Sequence, residues 1–186
     1  RGELVYDGIS GATPTGAKSS HLGRIPTTPL HDIRRAGNIA FDCKWGQQTI
    51  TPQFAYSTES DYESYAISLS DAIELNEKNT LLQFGVSHNF DSVLDNSQHR
   101  VYQDKDSTEV LIGISQLLST KTILSAHFTY GGEYGYLNDP YRLASFDTFG
   151  FAFPEKRPGH KSKEVLLLSL TQHITPLNGS VEGSYR

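Results

Sequence analysis

The chain contains 186 residues with a formal net charge of −5, and only 37% of them are hydrophobic. An ordinary globular domain carries roughly 45–50% apolar residues, glycine included, so the composition favours a thin wall with one apolar face over a close-packed interior. The basic residues form no cluster, which argues against a phosphate-binding surface and against nucleic acid as a partner.

The lone cysteine, Cys43, rules out an intrachain disulfide and any C-x-x-C metal or redox motif. No segment approaches about 18 consecutive apolar residues, so only a β-barrel could cross a membrane. The chain also lacks methionine, starts inside an apparent strand at 3–6 and stops inside another at 180–186. We therefore expect a fragment of a longer barrel.

Between these two end strands, seven runs alternate strictly between apolar and polar residues. They predict strands near 33–45, 50–57, 64–73, 82–90, 110–118, 124–130 and 166–174. Each run is close to the roughly 9–11 residues that a tilted membrane-spanning strand requires. Pro52 lacks an N–H donor, so we expect a local bulge in the second of the seven runs.

The connections between the runs are of two kinds. Short polar turns at 46–48, 76–79, 119–121 and 175–179 close the hairpins on one side, while the other linkers are long, at about 7–30, 92–106 and 131–162. Long unstructured loops are uncommon in compact soluble domains. Transmembrane barrels combine short periplasmic turns with long outer loops. We therefore predict an all-β fold, with residues 1–186 forming one segment of an antiparallel up-and-down transmembrane β-barrel.

One face of each run is small and polar, as expected for the inner wall of a barrel. A water-filled lumen and a narrow barrel packed with a closed polar network both fit this pattern, and the sequence leaves the two open. The candidates for lumen-facing positions are Asn38, Asp42, Lys44, Gln53, Ser68, Glu74, Gln83, Asn89, Glu109 and His127.

Aromatic residues fall at the ends of the runs, where rings with a polar tip favour the headgroup level of a membrane. The predicted aromatic girdle comprises Trp45 at a tight-turn end and Tyr56, Tyr65, Phe90 and Tyr130 at long-loop ends. Three residues interrupt the apolar face, namely Asp71, His88 and Gln116. A lipid-facing carboxylate is costly at mid-depth, so we expect Asp71 near a rim, at a bulge or paired with a neighbour.

No motif for catalysis or for cofactor binding is present. The seven histidines show no metal-ligand spacing, and the acidic residues Asp91, Asp95, Asp104 and Asp106 do not match a calcium loop. Ser125 and His127 could share the inward face, but no acidic residue is in place to orient the histidine. We therefore expect no enzyme activity, no catalytic residue, no metal and no cofactor.

Four segments together resemble a known family. They are YDGISGATPTG at 6–16, DIRRAGNIAF at 32–41, GYLNDPYR at 135–142 and PEKRPGHKSKEVLLLSL at 154–170. The pattern resembles the bacterial outer-membrane family catalogued as domain of unknown function 3570. The resemblance implies a Gram-negative outer-membrane barrel and strands missing at both ends, and it supplies no function and no catalytic residues.

The leading functional hypothesis is a porin-like channel or transport barrel for small solutes, in contact with outer-membrane lipid and lipopolysaccharide. A structural barrel that binds another envelope protein is the alternative, and an outer-membrane enzyme of the lipase type is a third. A soluble β-sandwich binding module is the main rival in fold, because inward-apolar alternation fits a sandwich as well.

Overall fold

A computed structural model describes residues 1–14, 27–95, 100–139, 143–146, 151–177 and 179–186. The described residues contain no helix with the length and apolar character needed to cross a membrane. The strands are β1 Gly2–Pro14, β2 Thr27–Ala40, β3 Cys43–Trp45, β4 Gln48–Thr58, β5 Tyr62–Leu75, β6 Thr80–Leu94, β7 Tyr102–Ser119, β8 Thr122–Gly135, β9 Leu143–Phe146, β10 Phe151–Pro154, β11 His160–Ile174 and β12 Gly179–Tyr185.

Ten of these strands form one antiparallel up-and-down sheet. Its order is β1-β2-β4-β5-β6-β7-β8-β11-β12, with the short β3 also paired to β4, and β9 and β10 form a separate two-stranded sheet. The ten-stranded sheet is open, since β1 and β12 each have one neighbour within the described residues. The predicted all-β, up-and-down class is confirmed, and an open sheet of this kind is what a segment of a barrel would form.

Three predicted tight turns, at 46–48, 76–79 and 119–121, are present, and the fourth, at 175–179, lies partly outside the described residues. Gly46 has φ of 60°, a left-handed conformation that glycine adopts without a steric penalty. The turn between β5 and β6 also uses left-handed residues, at Asn76, Glu77 and Lys78. A short 3-10 turn at Thr175–Leu177 leads from β11 towards β12.

Strands extend well into the segments that the sequence predicts as long loops. β6 continues to Leu94 and β7 begins at Tyr102, so both strands enter the 92–106 segment. β1 runs to Pro14, and β2 begins at Thr27. In these extensions the backbone hydrogen bonds between strands continue, but the side chains no longer alternate between apolar and polar. A prediction from alternation therefore ends each strand too early.

Pro52 breaks one ladder without a bulge. Ala40 pairs with Gln53 and Cys43 pairs with Ile50, so the register is the same on both sides of the break and no residue is inserted. The predicted bulge is therefore wrong. The Pro52 carbonyl accepts a bond from Phe41 N at 3.0 Å. In an antiparallel strand the N–H and C=O groups of one residue face the same neighbour, so the N–H that Pro52 lacks would also have faced Phe41. The pairing of β4 with β5 on the other side is therefore uninterrupted.

The tight-turn ends of successive hairpins are staggered in one direction, by two, three and two residues from β4 to β11. The first residue of β4, Gln48, pairs with Ile73, two residues before β5 ends at Leu75. The first residue of β6, Thr80, pairs with Gln116, three residues before β7 ends at Ser119. The first residue of β8, Thr122, pairs with Gln172, two residues before β11 ends at Ile174. If the turns lie at one level, seven residues of stagger across five strand spacings give a strand tilt of roughly 40°, typical of barrels.

Candidate functional surface: the polar face of the sheet

The sheet has two chemically different faces. Residues paired directly across an antiparallel ladder share a face, so the register assigns every paired strand position to one face or the other. The face that includes Phe54, Ile67 and Ile112 carries large hydrophobic side chains that remain 46–53% exposed. The only buried hydrophobic residues in the described part of the chain are Ala40, Val93 and Leu94. The sheet therefore lacks a close-packed core, and its apolar face is uncovered.

The opposite face, called the polar face below, contains all ten residues that the sequence analysis assigns to a lumen. Their direct pairings along the ladders include Gln53 with Ser68 and Ser87 with Glu109. Asp42 lies in the break between β2 and β3, and it accepts a hydrogen bond from Thr51 Oγ1 at 2.9 Å on this face. The residues sharing the face are Asn38, Asp42, Lys44, Gln53, Ser68, Glu74, Gln83, Asn89, Glu109 and His127.

At the centre of the polar face, a histidine lies across a glycine. Gln83 on β6, Gly113 on β7 and His127 on β8 are paired in one row. His127 Nε2 meets Gln83 Oε1 at 3.0 Å, and a Cβ at Gly113 would clash with the imidazole ring. Only glycine leaves room for this contact between strands that are not adjacent in the sheet. An isolated Gly inside a strand signals a close approach of this kind, and the sequence analysis did not use that signal at Gly113.

Ser125 and His127 share the polar face, as the sequence analysis considered for an enzyme. Ser125 Oγ donates to Ser115 Oγ at 2.9 Å, whereas His127 contacts Gln83. Both side chains therefore have partners on other strands of the sheet that account for their positions structurally.

Near the long-loop end, Asp91 is the centre of a second network. Its side chain is only 1% exposed, it accepts a hydrogen bond from Ser64 Oγ at 2.6 Å, and Lys105 Nζ lies 3.6 Å away. The Lys105 ammonium also lies 5.9 Å from the centre of the Tyr62 ring. Asp91 and Asp104 belong to one acidic group in the sequence but lie on opposite faces of the sheet. The extension of β6 puts Asp91 on the polar face, while Asp104 pairs with Ser92 on the apolar face.

A cavity of about 380 Å³ opens beside this network at the long-loop end of the polar face. Four carboxylates, those of Glu59, Asp61, Glu133 and Asp139, line it together with two basic side chains, Lys105 and Arg157, and with Tyr62, Val93, Tyr136, Leu137 and Asn138. Each base is already engaged with a carboxylate outside this lining, Lys105 with Asp91 at 3.6 Å and Arg157 with Glu155 at 2.8 Å.

Two of the carboxylates that line the cavity, in the turn before β5, meet a third on β2. Asp32, Glu59 and Asp61 each have a possible ligand oxygen, and these atoms lie within 4.8 Å of one another. Burial raises the pKa of the Glu59 carboxyl above its usual range, and the charge of Asp32 adds to the effect. Asp32 Oδ1 already accepts bonds from the backbone N–H groups of Ile33 and Ser60. Among the described residues, this is the one group that could hold a metal ion.

The apolar face carries the five predicted girdle residues. Tyr56, Tyr65 and Phe90 are paired in one row, and the rings of Tyr56 and Tyr65 lie 4.8 Å apart. Both tyrosine hydroxyls donate to one carboxylate oxygen of Glu63, at 2.7 and 3.1 Å.

Counted along their strands, Tyr56 and Tyr130 lie eight residues from the tight-turn end, and Tyr65 and Phe90 lie ten. Trp45 is adjacent to a turn and 85% exposed. With strands tilted by roughly 40°, eight to ten residues correspond to a height of roughly 20–25 Å between the level of Trp45 and the level of the four long-loop aromatics.

The three polar interruptions of the apolar face that the sequence predicts all have partners. Asp71 Oδ2 accepts a bond from Gln48 Nε2 at 2.6 Å, which is one of the environments expected for it. His88 Nδ1 lies 2.7 Å from Thr108 Oγ1. Gln116 contacts Thr80 beside the tight turn, at 2.7 Å.

The comparisons with known proteins give one match. A family model described as protein of unknown function (DUF3570) matches the chain over two overlapping segments, residues 23–101 and 93–186. No curated protein and no solved structure matches the chain.

Proposed function

We propose that this chain, which belongs to the DUF3570 family of proteins of unknown function, forms part of the wall of an outer-membrane β-barrel that passes small solutes. One observation carries the proposal. A single up-and-down sheet exposes large hydrophobic side chains on one face and small or charged side chains on the other. Such a wall is suited to separating lipid from water.

The apolar face supports the lipid side of the proposal. The two aromatic levels lie roughly 20–25 Å apart, close to the ~25 Å height of the apolar band in outer-membrane barrels. In this arrangement the tight turns face the periplasm and the longer connections face the outside, where lipopolysaccharide surrounds the barrel. The expected location is the outer membrane of a Gram-negative bacterium.

A soluble β-sandwich would need a second large sheet on the apolar face, about 10 Å away. Within the described ranges, the only other sheet is formed by the four-residue strands β9 and β10. The exposure of Ile67, Val86 and Ile112 at 46–53% therefore favours lipid over a sandwich partner.

The polar face supports the water side. Around its centre, several strand positions hold glycine or serine, among them Ser70, Gly85 and Ser87. These side chains leave free space above the sheet. The charged and amide side chains between them require hydration or pairing, and a water-filled lumen supplies the hydration.

A second candidate is a barrel that serves as a scaffold for another envelope component. The cross-strand contacts of His127 with Gln83 and of Asp91 with Ser64 favour it, because they are the beginning of a packed polar interior. A scaffold of this kind would co-purify with a partner in fixed stoichiometry and would conduct no ions.

Conductance of the purified full-length protein in planar lipid bilayers separates the two candidates. A water-filled lumen produces discrete conductance steps at moderate voltage. A protein that inserts, as shown by its protection from protease in vesicles, and yet gives no steps at any voltage or salt concentration would contradict the channel and favour the scaffold.

A further inference from the structure

Carboxylates outnumber basic side chains on the polar face. The strand ladders, together with Asp42, place nine carboxylates and five bases on it. The carboxylates are Glu3, Asp7, Asp32, Asp42, Glu74, Asp91, Glu109, Glu133 and Glu182, and the bases are Arg34, Lys44, Lys105, Lys161 and Lys163.

We propose that this excess makes the lumen selective for cations. The inference rests on the proposed channel and names the charge class of the solute that the channel passes. Fixed charges on a wall of low dielectric constant focus the field into the water beside it, and rings of Asp and Glu make pores favour cations.

Ion pairing does not remove the excess. Lys105 is held by the buried Asp91, and Lys161 lies 3.5 Å from Glu133. Once every ion pair within the described ranges is set aside, the unpaired carboxylates of the polar face are Glu3, Asp7, Asp32, Glu109 and Glu182, and the unpaired bases are Lys44 and Lys163.

The excess of carboxylates continues at the long-loop end of the polar face, which forms the entrance of the proposed channel. Together with their ion-pair partners among the described residues, the side chains that line the cavity comprise six carboxylates and four bases. An entering solute therefore meets a net negative surface. Within the described loops, Glu59 and Asp61 add two carboxylates to those of the strands. Charges at an entrance raise the local concentration of counter-ions before the narrower part of a pore is reached.

Glu109 is the best single position for a test. It is exposed on the polar face of β7, and it forms no ion pair or side-chain hydrogen bond with any described residue. Its side chain lies over Gly131 on β8, with Cγ 3.4 Å from where a Cβ would be. Neutralising it removes a charge from the lumen without breaking a contact.

Glu164 provides the matched control. It pairs with Tyr130 on the apolar face, one position along the sheet from the row that holds Glu109, and it is also exposed. Glu109→Gln and Glu164→Gln therefore make the same chemical change and the same change in net charge on opposite faces of the wall.

The measurement is the reversal potential of the full-length protein in planar bilayers under a KCl gradient. We expect K⁺ to be more permeant than Cl⁻ near 0.1 M salt, and we expect the preference to weaken near 1 M, where the screening length falls to about 3 Å. Glu109→Gln should lower the permeability ratio by roughly 1.5- to 2-fold at low salt, and Glu164→Gln should leave it unchanged.

The possible failures of this experiment are distinct. Conductance with no preference, or with a preference for Cl⁻, overturns the inference and leaves the channel in place. An equal effect of Glu109→Gln and Glu164→Gln also overturns it, because the charge would then act through the whole molecule. Absence of conductance in every variant removes the proposed channel itself.

Discussion

At the scale of single residues, two glycines on the polar face allow long polar side chains to lie flat on the sheet. His127 crosses Gly113 to reach Gln83, and Glu109 lies over Gly131. Each glycine is paired directly with the residue that covers it. Glycine in a strand normally weakens it, so its use here is explained by the space that the neighbouring side chain requires.

Gly113→Ala tests the space above Gly113. The added methyl would clash with the His127 ring, and we expect a loss of about 1–3 kcal/mol in the free energy of unfolding. The measurement is denaturant unfolding in detergent or lipid, followed by the gel shift between folded and unfolded protein. Gly85→Ala is the control, because its Cβ would lie 3.6 Å from Leu111 Cβ, an ordinary contact.

A second variant shows whether Gly113→Ala is destabilising because of the His127 ring or because position 113 tolerates no side chain at all. In the His127→Ala background the ring is absent, so Gly113→Ala should then cost little. A loss of equal size in both backgrounds would contradict the assigned clash.

Glu59 gives a prediction for the dependence of stability on pH. Burial and the neighbouring Asp32 raise its pKa in the folded state, so the folded protein holds this proton more tightly than the unfolded chain does. The resulting stability is fully present below the ordinary carboxyl pKa of about 4 and is lost as the pH rises through the raised value. Glu59→Gln removes that loss and should be more stable than the wild type at neutral pH.

The thermal midpoint of the gel shift, measured from about pH 3.5 to 7.5, checks this. The difference between Glu59→Gln and the wild type should shrink towards zero at the acidic end. Glu77→Gln, in the exposed turn between β5 and β6, should match the wild type throughout. A stabilisation by Glu59→Gln that is the same at both ends of the range would exclude titration of Glu59 as its cause.

At the scale of the strands, neighbouring positions meet different surroundings. Leu111 and Ile112 are adjacent on β7 and similar in size, and they lie on the polar and the apolar face, respectively. Ile112 remains 53% exposed. The same substitution at two adjacent positions of one strand therefore compares the two faces, with each position serving as the control for the other.

Ile112→Arg should impair folding into lipid far more than Leu111→Arg. A cation on the lipid face costs roughly 2–4 kcal/mol at mid-depth and less towards the interfaces, and Ile112 lies between mid-depth and the long-loop aromatics. An arginine in a water-filled lumen stays hydrated. The fraction of protein that folds into phospholipid vesicles, read from the shift in gel mobility on boiling, measures the difference. Equal losses for the two variants would contradict the assignment of the faces.

Strand alternation was predictable from the sequence because the two faces carry different chemistry over the apolar runs. The extension of β6 to Leu94 and the start of β7 at Tyr102 were not, because the alternation has already ended there. The contact of His127 with Gln83 was also beyond prediction, since it joins β6 and β8, which are not adjacent in the sheet. The contact of Asp91 with Ser64 was missed because Asp91 lies beyond the alternating run, in the extension of β6.

At the scale of the whole molecule, the stagger of the strands and the positions of the aromatic residues indicate the same arrangement. The steady shift of the tight-turn ends corresponds to a strand tilt of roughly 40°, which barrel closure requires. With that tilt, Tyr130 is level with the other long-loop aromatics although it lies outside their row. The central claim of the account is that lipid covers one face of this wall and water the other.

Quenching of a fluorophore placed along β7 tests this claim most directly. Single cysteines are introduced at positions 109, 110, 111, 112, 114 and 115 of the full-length protein, after Cys43→Ser has removed the native thiol. Position 113 is left as glycine because any side chain there would clash with His127. In vesicles, the label at 110, 112 and 114 should be quenched by brominated lipid, and the label at 109, 111 and 115 by a water-soluble quencher. Quenching by water at all six positions, or without a period of two, would contradict the account.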